Sequence, residues 1–235
     1  MIEIHLLILK EHDEVSIPDL NDTALIEKIK ATKAPKARRE RAAAYSLLAL
    51  LCEENGYIMP TIVYNKSGKP AFLASQEPDE KNQFVPFFFN VSHSENLVAI
   101  IKSEEEKQLG IDVQMMPSGE KLSRVAERFL NYGIEKFHTG YDGDIKILYY
   151  IIKEGKISHT DISGAEQPFD ISEAAFRTDA PLVEWTLLEA SLKALGGGFS
   201  EYPRVKDLPD GSIKTKSFDV LLGDEKYALS IAISS

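Results

Sequence analysis

The chain has 235 residues and a formal net charge of -10, with apolar and charged fractions of 43% and 27%, which describes a soluble globular protein of one large domain or two half-sized ones. The acidic balance argues against a nucleic-acid binder, which normally shows a basic surface or a dominant basic stripe, so any polyanion site must be local. The single cysteine, Cys52, has no internal disulfide partner and points to a reducing compartment, the cytoplasm.

The opening MIEIHLLILK is apolar but short, carries Glu3 and His5, and lacks a small-residue cleavage pattern, so it predicts a strand and not a signal peptide. No apolar run approaches the ~20 residues of a membrane helix, and no membrane partner is expected. Residues 37–52, ARRERAAAYSLLALLC, are strong helix formers and predict a helix that ends near Asn55-Gly56. Lys33, Lys36, Arg38, Arg39 and Arg41 crowd its start. The positive end of a helix dipole normally favours acidic residues, so basic ones there mark either an anionic ligand or a solvated charge run.

Next, NKSGKP at 65–70 predicts a turn that presents Lys66 and Lys69. FFFNVSHSENLVAIIKS at 87–103 reads as strand, polar turn, strand, with His93 placed in the turn between Ser92 and Ser94. Hydroxyls and backbone N–H groups in such a turn can receive a phosphate, although an exposed turn histidine needs no ligand. In QLGIDVQMM the apolar residues alternate with Gln108, Gly110, Asp112 and Gln114, which puts Asp112 and Gln114 on one face of a strand beside Gly110. EKLSRVAERFL, after the Pro117-Ser118-Gly119 turn, predicts an amphipathic helix. Residues 139–181 show no clear period, and strands with a long loop are expected.

The stretch EWTLLEASLKALGGG at 184–198 predicts a helix whose stripe of Trp185, Leu188, Leu192 and Leu195 is flanked by Glu189 and Lys193, with glycines to end it. Glu189 and Lys193 one turn apart form an ordinary stabilising helix pair. Alternatively, Asp112 and Glu189 supply the one or two carboxylates that a Mg²⁺ ion requires. The final FDVLLGDEKYALSIAIS resembles FNVSHSENLVAII from residue 89, and each hairpin follows a helix. This suggests two related α+β halves packed as a pseudo-dimer.

In this order the pieces resemble the 4'-phosphopantetheinyl transferases, of the type that activates surfactin synthetase. The resemblance rests on Gly68-Lys69-Pro70, on Asn90-Val91-Ser92-His93-Ser94, on Gly110-Ile111-Asp112, and on the helix Trp185-x-x-x-Glu189-Ala190-Ser191-x-Lys193, and it spans roughly residues 33–198. It implies a monomer with internal pseudo-symmetry, in halves 1–112 (the coenzyme A nucleotide side) and 113–235 (the half with the Glu189/Lys193 helix). It implies Mg²⁺-dependent transfer of the phosphopantetheine arm from coenzyme A to a serine of an apo carrier protein, with release of 3',5'-ADP. By the same resemblance Asp112 and Glu189 are metal ligands and Lys193 contacts phosphate. On chemical grounds Gln114 can orient a metal-bound water, and Glu189, a carboxylate near the metal, is the candidate base. Ser92, His93, Lys69, Lys36, Arg39 and Arg41 would hold coenzyme A.

Two positions depart from the family pattern. Gln114 stands where many members have a second carboxylate, and Leu188 stands where the family places a lysine. These departures motivate one rival reading, an inactive relative that binds coenzyme A or a carrier domain. A metal-dependent phosphohydrolase built on Asp112 and Glu189 is another, but it leaves the ordered motifs unexplained.

Overall fold

Strand β1 (Ile2–Ile8) turns Ile2, Ile4, Leu6 and Ile8 to one face and Leu7 to the other, and all are buried. A strand with two apolar faces belongs inside a sheet, and β1 has neighbours on both sides. β5 (Leu97–Ser103) pairs with it antiparallel and β8 (Ile145–Lys153) pairs with it parallel. With β4 (Phe88–Ser94) and β9 (Lys156–Thr160) at the edges, the first sheet has the order β4-β5-β1-β8-β9. The computed structural model describes residues 1–10, 13–15, 22–73, 86–116, 138–160, 169–174, 181–197 and 208–234. The helix expected over EKLSRVAERFL, Gly198 and parts of the 139–181 stretch lie outside the described residues.

A second sheet follows the order β10-β11-β12-β6, built from β6 (Leu109–Met115), β10 (Phe169–Glu173), β11 (Ile213–Leu222) and β12 (Glu225–Ser234). β7 (His138–Gly140) pairs parallel with the start of β11. The two sheets face each other through one apolar cluster, in which Ile4, Leu6 and Ile101 meet Ile111, Val113, Leu229 and Ile231. On the outer face of the first sheet lie α1 (Thr23–Lys30) and α2 (Pro35–Glu54), where Leu47, Leu48 and Leu51 pack with Leu7, Val98, Ile100 and Tyr150. A short hairpin of β2 (Ile62–Tyr64) and β3 (Pro70–Phe72) joins that cluster through Ile62 and Phe72. On the outer face of the second sheet lies α3 (Pro181–Ala194). The result is a mixed α+β fold in four layers, helix, sheet, sheet, helix. Among the described residues no helix is long and apolar enough to cross a membrane.

The opening strand, the helix over 37–52, the 65–70 turn and the two hairpins form as the sequence predicts. His93 does not: β4 continues through Ser94, and the turn falls at Glu95-Asn96, where Glu95 has φ 52°. The polar SHS run keeps its alternation because both of its faces find partners, so the strand has no reason to end there.

α3 differs from its predicted stripe. Two of its faces are buried: Leu187, Leu188 and Leu192 form one cluster, and Ala190 and Ala194 form another with Ile213 and Ala232 of the sheet. A helix apolar on most sides is a helix packed on most sides. The sheet-facing contact is close because it is made of small residues. At Gly110 an added Cβ would lie 1.8 Å from the backbone oxygen of Ala190 and 2.6 Å from the nitrogen of Ala194. At its end, Gly196 takes φ 77° and donates to Lys193 O (3.1 Å), while Gly197 donates to Leu192 O (2.9 Å). These paired bonds close the last turn, and the positive φ is one that glycine adopts without the strain of a Cβ.

Gly110→Ala is therefore expected to push α3 off β6, at a cost of about 3 kcal/mol or more. Urea denaturation should show a lower midpoint with an unchanged slope. Stability equal to that of the unsubstituted chain would mean that the helix rides higher on the sheet than described.

Candidate functional site

The site forms where β4, β6 and α3 meet, and the pleat of β4 decides which side chains reach it. Odd positions Phe87, Phe89 and Val91 pack toward the α2 core, whereas Asn90, Ser92 and Ser94 point the other way, to the edge of β6. Among the described residues that edge has no partner strand, since β12 pairs with β6 on its other side. Side chains supply its partners. Asn90 Oδ1 accepts from the N–H of Ile111 (3.1 Å), Ser92 Oγ from Val113 (3.3 Å), and Ser94 Oγ from Met115 (2.9 Å).

The carbonyls of the same edge are taken by two lysines. Lys69 Nζ donates to Leu109 O at 2.9 Å, and Lys193 Nζ donates to Ile111 O at 3.0 Å. The Lys193 ammonium also reaches Asp112 Oδ1 at 2.7 Å and Ser92 Oγ at 3.1 Å, and Ser92 donates to Asp112 Oδ1 at 2.9 Å. Asp112 and Ser92 are both buried. The three donors of Lys193 thus have three acceptors, and its partner is Asp112 across the sheet, in contrast to the simple pairing with Glu189 one turn away.

Glu189 sits half-buried on α3 within the field of Asp112 and Lys193. Burial foremost, and then the negative charge of Asp112, hold its carboxyl above the usual carboxylate range, while Lys193 pulls the other way. Gln114, two residues along the same face as Asp112, donates from Nε2 to Ser94 Oγ at 3.3 Å. Two carboxylates and an amide oxygen are hard oxygen donors, and a dication would offset the repulsion of Asp112 that adds to burial at Glu189. Asp112, Glu189 and Gln114 are thus the side chains here that could contribute oxygens to a Mg²⁺ ion, although among the described residues no group of three or more His, Cys, Asp or Glu side chains is placed to hold a metal.

His93 lies on the opposite face of β4 from Ser92. Its Nδ1 is 3.1 Å from Oε2 of Glu40, a buried carboxylate in the second turn of α2. One turn earlier Lys36 pairs with Glu95, just past the end of β4. The basic start of α2 is thereby tied to the His93 side of the strand. Arg39 reaches Lys10 O at 2.8 Å and Arg41 reaches Thr32 Oγ1 at 2.9 Å, so both have internal acceptors. Arg38 and Arg39 line an open cleft of about 490 Å³ together with Glu14, Val15, Pro35, Ala42 and Gly155.

Lys69 does not project outward from its turn. The turn is shaped by Asn65, whose Oδ1 accepts from the N–H groups of Ser67 (3.0 Å) and Lys69 (2.9 Å) and whose Nδ2 donates to Gly196 O. The Lys69 ammonium bends back to Leu109 O and toward Ala194 O (3.4 Å), at the negative end of α3. Leu188, the position where the family carries a lysine, is fully buried with Leu187 and Leu192.

Of the residues singled out in the sequence, Ser92, Asp112 and Lys193 are in direct hydrogen-bond contact, and Glu189 lies within the field of Asp112 and Lys193. Sequence reasoning missed Glu40 as the partner of His93, and it missed the edge-capping role of Asn90 and Ser94. The signal for the second was present: Asn90, Ser92 and Ser94 recur at the period of a strand. No protein-family model matches this chain, and no curated protein sequence matches it either.

Burial pushes the Lys69 ammonium down to about 8 from its ordinary 10.5. A depressed basic group costs stability while it is charged in both states, and that cost disappears as pH rises from the folded toward the unfolded value. Relative to Lys69→Met, the parent chain should gain stability between about pH 8 and 10.5, measured as the difference between paired urea titrations. Comparing the pair cancels the buried tyrosines, which titrate in the same range in both proteins. A flat difference would place the Lys69 ammonium in solvent.

Proposed function

We propose that the chain transfers the 4'-phosphopantetheine arm of coenzyme A to a serine of an apo carrier protein. The observation that carries the reading is the meeting of Asp112, Glu189, Lys193 and Ser92 at one junction, from motifs that lie up to a hundred residues apart in the chain. The strand order adds support. β1, α2 and the hairpin β4–β5 give a sheet segment β4-β5-β1 with a helix on its outer face. β6, α3 and the hairpin β11–β12 give β11-β12-β6 with a helix on its outer face. This is the arrangement expected of two related halves packed as a pseudo-dimer.

In this reading Asp112 and Glu189, with Gln114 through water, would hold a Mg²⁺ ion, which would supply charge neutralisation on the coenzyme A diphosphate. Glu189 takes the proton of the carrier serine. The serine oxygen bonds to the phosphorus that carries the pantetheine arm, and the bridging P–O bond of the diphosphate breaks. 3',5'-ADP leaves with the bridging oxygen. Lys193 stabilises negative charge beside Asp112, and His93, held through Nδ1 by Glu40, offers its other nitrogen to a phosphate. The basic start of α2 and the cleft at Arg38 and Arg39 would take the nucleotide end, in the cytoplasm, where coenzyme A and carrier proteins meet.

The second reading, an inactive relative that binds coenzyme A or a carrier, is favoured by one observation, the full engagement of Lys193 with Asp112, Ser92 and Ile111. One experiment separates the two. The protein is incubated with several apo carrier proteins, coenzyme A and Mg²⁺, and the carriers are weighed by mass spectrometry. The phosphopantetheine increment is expected, and Glu189→Gln should slow its appearance about 100-fold or more with an unchanged far-UV spectrum. No increment on any carrier, with coenzyme A bound, would establish the binding module instead.

A further inference from the structure

The resemblance assigns Ser92 to a coenzyme A phosphate, but the hydroxyl has no capacity left for one. A serine hydroxyl offers one donor and two acceptor positions. Here the donor goes to Asp112 Oδ1 (2.9 Å), and the acceptors take Val113 N–H (3.3 Å) and Lys193 Nζ (3.1 Å). All three partners belong to the protein, and Ser92 is buried. A phosphate oxygen accepts, so it could bond this hydroxyl only by taking the proton now given to Asp112 Oδ1.

We infer that Ser92 is a positioning residue: it pins the Asp112 carboxylate and the Lys193 ammonium in one geometry, bracing both against the backbone of β6, and does not itself touch the ligand. Its neighbours on the same face, Asn90 and Ser94, continue the clasp at Ile111 and Met115. The segment Asn90-Val91-Ser92-His93-Ser94 is thereby divided by the pleat. Its even positions hold the two sheets edge to edge, and His93 alone among its polar side chains faces away, toward α2. A single strand sets both polar clusters, and Ser92 is the member of the clasp that also meets the charged pair.

What the pinned pair does rests on the transferase reading, so the test has one arm that needs no activity. In the intact protein, Ser92→Ala should speed amide exchange at Val113 by roughly five- to tenfold, the loss of one hydrogen bond, and leave Ile111 and Met115 within about twofold. Unchanged exchange at Val113 would overturn the clasp whether or not the chain is a transferase. In the second arm, Ser92→Ala should lower kcat by about 10- to 100-fold, the usual cost of losing a support behind a metal ligand or charged group. The KM for coenzyme A and its calorimetric affinity should stay within about twofold, because no ligand contact is lost. Ser92→Thr, which keeps the hydroxyl, should restore most of kcat. Weaker coenzyme A affinity by about tenfold with kcat retained would put Ser92 on the ligand and overturn the inference. If Ser92→Ala does not fold, Ser92→Cys keeps the volume with a weaker donor and should show the same signs at smaller size. An unsubstituted chain that transfers nothing would fail the transferase reading alone, since the exchange arm still decides the role of Ser92.

Discussion

The free edge of β6 is the constraint around which this protein is arranged. An edge strand presents a row of backbone donors and acceptors that must find partners. In most sheets water or another strand supplies them. Here they are met by side chains from three directions: Asn90, Ser92 and Ser94 of β4, Lys69 of the turn before β3, and Lys193 of α3. Each of these groups is therefore fixed by the backbone of one strand. Asp112, on that strand, inherits a surrounding that is already ordered, and this is the kind of preorganisation on which charge stabilisation in a site depends.

Close packing makes that arrangement possible. Lys193 can reach Ile111 O and Asp112 together only if α3 lies low on the sheet, and it does so over small residues. Gly110, Ala228, Ser230 and Ala232 form the floor, with Ala190 and Ala194 above. Even the polar member of that floor is satisfied, because Ser230 shares hydrogen bonds with Thr186 and Ser217 at 2.8 Å each. The C-terminal turn of the helix is then secured from the other side, through Asn65 to Gly196 and Lys69 to Ala194. A residue far from the carboxylates in sequence, such as Asn65, thus helps to set where Lys193 stands.

Much of this was legible before the fold was known, and what escaped has a common cause. Period-two alternation marked the faces of β6, and glycine at 196 marked the end of α3, because local geometry alone decides those features. The coexistence of Asp112, Glu189 and Lys193 was legible as a set of residue types but not as a contact, since pairing them requires the crossing of β6 and α3. His93 was misplaced in a turn because Ser-His-Ser is rich in turn formers. Only the partners Glu40 and Val113, supplied by tertiary structure, show why those residues stay extended. Lys69 was read as presented by its turn, and the turn is real. The side chain folds back because two backbone oxygens, from β6 and α3, lie behind it.

Under the proposed transferase reading, the two departures from the pattern of the family the chain resembles take on a different meaning when considered together. Gln114 removes one negative charge relative to a carboxylate at that position, and Leu188 removes one positive charge relative to lysine. A centre that lacks both keeps the same balance of charge as one that has both, with Asp112 and Glu189 opposed by Lys193. The Leu188 position is buried among leucines in this chain, where an ammonium would pay a desolvation penalty. Gln114, by contrast, still directs polar atoms along the face of Asp112 and is itself held by Ser94. Losing the lysine alone would leave an excess of negative charge beside a diphosphate. Losing it together with the second carboxylate leaves a smaller centre with the same net charge, in which Lys193 and one strong carboxylate pair carry what a larger set carries elsewhere.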